Sequence, residues 1–167
     1  MNNIDKKLIL DLSLGKISQK AFFEAYSFDL SGISNHVKNL LSSALLTQVP
    51  DDVEYPMLLG FIFKVYGHDF KDLLVNLLQQ DWHYKHEDIV SIMQDLRYSD
   101  FVDVLYLTAL KTFKYLHYDD VLGLARKCTW ALSAIDTPYA INKLELLAQS
   151  PNALIKSYAQ KRLAAKG

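Results

Sequence analysis

The run 81-DWHYKHED-88 sets His83 and His86 three residues apart and follows the second at once with Glu87 and Asp88. Imidazole and carboxylate are zinc ligands, and on a helix an i, i+3 pair shares one face. His83 and His86, joined by Glu87 or Asp81, could therefore begin a metal site. A zinc hydrolase needs three protein ligands and an activating base. The helical H-E-x-x-H motif that supplies them is absent, because here the glutamate follows the second histidine. His36, His68 and His117 stand elsewhere without ligand-like spacing. The plainer reading is a helix start, with Glu87 and Asp88 at the positive end of the helix dipole and Trp82 packing between layers. No metal and no cofactor is expected.

Other chemistry is no better supplied. There is no G-x-S-x-G turn, no phosphate-binding P-loop and no G-x-G-x-x-G. Asp119 and Asp120 are neighbours, and adjacent carboxylates at a helix start point apart and suit capping better than acid–base work. Cys128 is the sole cysteine and sits in the apolar pattern Leu124, Cys128, Ala131, Leu132, which reads as packing. One cysteine forms no internal disulfide, so a reducing compartment, the cytoplasm, is expected. The chain is not expected to be an enzyme.

The elements that would position these residues are helices. The chain has 167 residues, six glycines and four prolines, too few turn formers for an all-β fold, and length enough to bury a core as one domain. Ile4, Leu8 and Leu12 lie at helical spacing before Gly15, and Ser18 is placed to cap a short helix reaching about Tyr26. Val37, Leu40, Leu41, Ala44 and Leu45 form the next stripe. Pro50-Asp51-Asp52 opens a helix that tolerates Pro56 in its first turn and ends at Gly67. Leu73, Leu74, Leu77 and Leu78 follow, then Ile89, Ile92, Met93 and Leu96. Asp100 is expected to cap a helix through Leu110, and Asp119-Asp120 to open one running from Val121 to Ile135. Thr137-Pro138 and Ser150-Pro151 are start signals for the last two. No apolar stretch approaches the roughly 18 residues that span a bilayer, and the opening MNNIDKKLILDLSLG is neither signal peptide nor anchor.

Net charge is −1 but segregated. Residues 50–122 carry thirteen carboxylates against six Lys or Arg, whereas residues 123–167 carry two against seven. An acidic middle suits a cationic partner. Tyr84, Tyr98, Tyr106, Tyr115, Tyr118 and Tyr139 add aromatic groups, several beside acids, a composition enriched in binding hot spots. The basic tail (Arg126, Lys127, Lys143, Lys156, Lys161, Arg162, Lys166) is a modest phosphate track, and a pI near 6.5 speaks against generic nucleic-acid binding.

The second half also repeats itself. TWALSAI (129–135) aligns with SYAQKRL (157–163) at an offset of 28, Ala131 over Ala159 and Ile135 over Leu163, with TPYAINKLELLAQSPN between. A period near 30 is the mark of an α-solenoid. Residues 119–165 resemble HEAT-type helical repeats. The wider pattern DWHYKHED, YLHYDD, KCTWAL and AQSPNALIKSYA, over residues 80–165, resembles small HEAT-like immunity proteins that accompany polymorphic or contact-dependent toxins in bacteria. The resemblance implies an all-α fold, a short α-solenoid of antiparallel helix pairs over 50–167 with an irregular helical cap over 1–49. It further implies a monomer that binds a cognate toxin domain, such as a nuclease, one to one and occludes its active site. Phosphate-binding toxins carry cationic surfaces, so the expected contact set is Asp81, Tyr84, Glu87, Asp88, Asp95, Asp100, Asp103, Tyr118, Asp119 and Asp120. The alternatives are a HEAT-like scaffold for a housekeeping partner and a helical-repeat nucleic-acid binder.

Overall fold

Side-chain caps set several helix starts. The computed structural model describes residues 1–26 and 32–166, and among these there are helices and turns but no strand. The helices are α1 (Asn3–Ser13), α2 (Gln19–Ala25), α3 (Ile33–Thr47), α4 (Asp51–Ile62), α5 (Lys71–Leu78), α6 (His86–Leu96), α7 (Val102–Leu110), α8 (Gly123–Ile135), α9 (Pro138–Leu147) and α10 (Ala153–Ala164). Ser18 accepts from the Ala21 N–H and Thr137 from the Ala140 N–H, each satisfying a donor that the helix leaves unpaired. Asp51, Asp52 and Glu54 occupy the first turn of α4, where the macrodipole favours them. None of the helices described is long and apolar enough to cross a membrane.

Several expected boundaries move. The α10 helix starts at Ala153 under Asn152, whose side-chain Oδ1 accepts from the N–H groups of Leu154 and Ile155, so Pro151 lies outside it. Asp100 sits in a 3-10 turn (Ser99–Phe101) instead of capping α7, and the residue before α7 makes no side-chain cap. Pro56 is the sixth residue of α4, in its second turn, and costs one backbone bond without ending the helix. That helix stops at Ile62, well before Gly67, because Lys64 turns left-handed. In α1 the buried residues are Ile9 and Leu12, whereas Ile4 is exposed, since the inward face runs through 5, 8, 9 and 12. Gln48, Arg97 and Asp136 end α3, α6 and α8 in the left-handed conformation that glycine usually fills.

The chain divides into two compact units, Met1–Leu73 with Trp82–Tyr84, and Leu74–Asp81 with Lys85 onward. Within the first, α4 packs on α3 and α1, the Lys6 ammonium lies 3.0 Å from Asp51, and Phe22 stacks on Tyr26. Gly60 is required there: the Tyr66 ring lies where a β-carbon would stand, and its hydroxyl donates to the Met57 carbonyl. In the second unit α8 touches α6, α7, α9 and α10, and α7 also touches α9. Cys128, Thr129, Ala131 and Leu132 of α8 are fully enclosed. Burial pushes the Cys128 thiol well above its ordinary range, with the Glu87 carboxylate acting in the same direction, as befits a packing residue.

Ala131 and Ala159 are both wholly buried, and α8 packs on α10, so the aligned alanines share a role. Ile135 is buried and Leu163 half-buried. Overfilling such a site costs about 1–3 kcal/mol. Ala159→Leu is expected to lower the urea midpoint accordingly with an unchanged m value, while Gln160→Leu, one residue along and exposed, stays within about 0.5 kcal/mol. Equal stabilities of the two variants would refute the buried face assigned to α10.

Candidate functional site

The α6 helix opens at His86, so His83 lies outside it and the two histidines do not share a helical face. Both are buried, but the backbone places them in different compact units. Glu87 and Asp88 occupy the first turn of α6, as a helix start predicts. The His86 ring is engaged at both nitrogens: Nε2 is 2.7 Å from the Gln80 carbonyl and Nδ1 2.9 Å from the Tyr115 hydroxyl. A carbonyl only accepts, so Nε2 carries the proton, and in the neutral ring Nδ1 accepts the Tyr115 hydroxyl proton. Phe113 closes over the ring with centroids 4.0 Å apart. His86 thus ties Gln80 to Phe113 and Tyr115. Among the described residues no three of His, Cys, Asp and Glu gather as a metal site.

An acidic corner forms where the starts of α6 and α8 meet. A β-carbon on Gly123 would stand 3.2 Å from an oxygen of Glu87 and 3.2 Å from one of Asp119, so two carboxylates converge on this glycine. Lys127, one turn into α8, reaches Glu87 at 3.1 Å, and Lys85 lies 3.7 Å from Asp88. Asp119 does local work as well. It accepts from the N–H groups of Val121 and Gly123, on either side of Leu122, which is left-handed at φ 49°. That conformation costs a non-glycine residue about 1–2 kcal/mol, and the paired hydrogen bonds hold it. So α8 begins at Gly123, later than the Asp119-Asp120 start expected, with Asp119 capping from upstream. Tyr118 is 84% exposed beside it, and Asp120 is exposed.

Asp119 and Leu122 also line a cleft of about 280 Å³, its wall apolar at Leu110, Phe113 and Ile155 and polar at Lys111, Ser150 and Asn152. The cleft and the acidic corner therefore share a residue, Asp119. Chemically this is a place for an aromatic or apolar side chain from outside, with the Asp119 carboxylate and the Lys111 ammonium both in its lining.

The remaining expected contacts are dispersed. Asp95 stands on α6 eight residues beyond Glu87, about 12 Å along the axis, and Asp100 follows in the turn before α7. Asp81 is exposed in the connection before α6, and Tyr84, also exposed, belongs to the first unit. Asp103 lies at the start of α7, where the Tyr139 hydroxyl donates to it at 2.6 Å and Lys143 sits at 2.9 Å. Those two bonds, Tyr139's foremost, hold the Asp103 carboxyl below its ordinary range, and Asp103 in turn raises Lys143 above its own.

Sequence reasoning missed the apolar part of the surface. Leu107 and Leu110 of α7 and Leu146 of α9 are exposed on two helices that pack together, with Tyr139 between charged neighbours. In the sequence these leucines are indistinguishable from core positions. The signal that separates them is the partner helix, which buries Val104, Leu105 and Ala109 instead.

Two outcomes test this geometry. Asp119→Ala removes the clamp around Leu122 and is expected to cost about 1–2 kcal/mol in denaturant unfolding, as loss of an N-cap does. Burial, with Glu87 nearby, pushes the Tyr115 phenol up to about 12 from an ordinary 10.0. Because the folded value lies above the unfolded one, the stability this group contributes is complete below pH 10 and is lost as pH rises through about 12. Tyr115→Phe is expected to lose about 1–3 kcal/mol at pH 7 by leaving His86 Nδ1 unsatisfied. It should also flatten the alkaline decline, read as urea midpoints between pH 9 and 12. Protein-family models, curated proteins and solved structures, each compared with this chain, give no match.

Proposed function

We propose that this chain is an immunity protein, which binds a cognate toxin domain bearing a cationic surface and occludes its active site, one to one, in the cytoplasm. It acts by occupancy and catalyses nothing. The observation that carries the reading is the acidic corner: Glu87 and Asp119 converge at Gly123, Tyr118 and Asp120 are exposed on either side of Asp119, and Asp119 also lines the 280 Å³ cleft. A cleft that takes one anchoring side chain, with a carboxylate in its lining and an exposed tyrosine next to that carboxylate in the chain, is the form of an interface hot spot for a lysine- or arginine-rich partner. The resemblance of 80-QDWHYKHED-88 and of residues 119–165 to HEAT-like immunity proteins points the same way. The packing in the second unit supports such a repeat, because every second helix touches (α6 with α8, α8 with α10, α7 with α9), as do the successive pairs from α7 to α10.

The test is growth rescue. Tagged full-length chain should capture, from its native host, the C-terminal domain of a large secreted protein in equal amount. Co-expression should then protect cells from that domain. Tyr118→Ala and Asp120→Lys are each expected to weaken the complex by about tenfold or more, roughly 1.4 kcal/mol, with the loss reduced at high salt for Asp120→Lys. Failure of the chain to protect against any captured domain would overturn the reading. Unchanged affinity in both variants would move the contact away from this corner.

A further inference from the structure

The basic tail holds a second cleft that the acidic corner does not use. Arg126 and Trp130 lie four apart on α8, and Tyr158, Lys161 and Arg162 lie at i, i+3 and i+4 on α10, so each trio or pair shares a helical face. The two helices pack together, and these five residues line a cleft of about 220 Å³ with no carboxylate in its wall. The Arg126 guanidinium carbon is 5.3 Å from the Trp130 ring centre and that of Arg162 is 5.8 Å from it. The Tyr158 hydroxyl donates to the Val121 carbonyl, bracing the far wall.

Elsewhere in the tail Lys127 pairs with Glu87, Lys143 with Asp103 and Lys166 with Asp136, and Lys156 stands exposed outside the cleft. Among the described residues Arg126, Lys161 and Arg162 have no such ion pair, and the buried Nε of Arg126 has no hydrogen-bond acceptor. Three like charges gathered in one cleft repel one another, and that repulsion is relieved when an anion enters. Contact with the indole occupies the flat face of a guanidinium and fixes its orientation. Its N–H edge remains available for a forked hydrogen bond to an oxyanion.

A single carboxylate, at −1, would leave most of this charge unanswered. A phosphate monoester carries about −1.5 to −2 at pH 7 and three acceptor oxygens, matching two forks and an ammonium. We propose that the Arg126–Trp130–Arg162 cleft binds the phosphate-monoester group of a small organic phosphate.

Trp130 supplies the readout. In Trp82→Phe protein it is the one indole present, and its emission can be followed while glycerol 3-phosphate, inorganic phosphate or acetate is added at constant ionic strength. Glycerol 3-phosphate is expected to give a saturable change that inorganic phosphate competes for and acetate does not reproduce. Arg162→Gln and Arg126→Gln should each weaken binding by about tenfold or more, with Lys161→Gln milder, and binding should fall below about pH 6 as the dianion protonates. Calorimetry on the unmodified chain repeats the titration without relying on fluorescence. No saturable heat or emission change, or an equal response to acetate, would overturn the proposal. So would tight binding of a single-stranded oligonucleotide that phosphate monoesters fail to displace, since the cleft would then belong to a nucleic-acid track.

Discussion

The second unit depends on how closely α8 can be approached. Four helices lie against it, and a helix can meet so many neighbours only where its side chains are small or deeply interlocked. Ala131 meets that requirement, Leu132 and Cys128 fill the spaces on either side, and Thr129 hides its hydroxyl by donating to the Arg126 carbonyl at 2.7 Å. Because α8 is held on most of its circumference, whatever sits at its start or along its open edge is placed with little freedom. Both clefts described above use that fixity. The one at Asp119 takes its floor from Leu124 and Ala125, and the cationic one takes Arg126 and Trp130.

Charge is divided between internal and external duties. Glu87, Asp88 and Asp103 each face a lysine of their own chain, and Asp119 is committed to two backbone N–H groups. These carboxylates shape the surface before any partner arrives, and surface pairs of this kind contribute little stability individually. Their value lies in orientation. A carboxylate held by one lysine presents its second oxygen in a fixed direction, which lowers the ordering cost of meeting a cation from outside.

Much of the fold was legible from spacing and caps. Ser18 and Thr137 accept their helical N–H groups, the 37, 40, 41, 44, 45 stripe of α3 faces inward, and Cys128 is enclosed. What misled was ambiguity between turn chemistry and helix start. Ser150-Pro151 looked like a cap and first residue, but Asn152 caps more strongly from two residues on. At Asp119-Asp120 the acid reaches past a left-handed Leu122, a step invisible in a linear pattern. The site was legible in part: the acids around Glu87 and Asp119 do converge, but Asp95 lies in the last turn of α6 and Asp100 beyond it, away from that corner. Spacing does not separate the outward Leu107 and Leu110 from the inward Val104 and Leu105, because that depends on where the partner helix lies.

The helix stops carry a consequence for how this sequence can change over generations. Gln48, Arg97 and Asp136 hold left-handed backbone at helix ends where glycine would sit without strain. Each is a polar, exposed residue whose side chain is not required by the core. Such positions can drift to glycine or asparagine with a gain in the folded state that roughly offsets the added freedom of the unfolded chain. The lineage therefore has near-neutral routes at the ends of α3, α6 and α8, while the enclosed face of α8 has almost none. Variation should gather at the rims of the helices, leaving the ring of contacts around α8 as the slowest-moving part of the molecule.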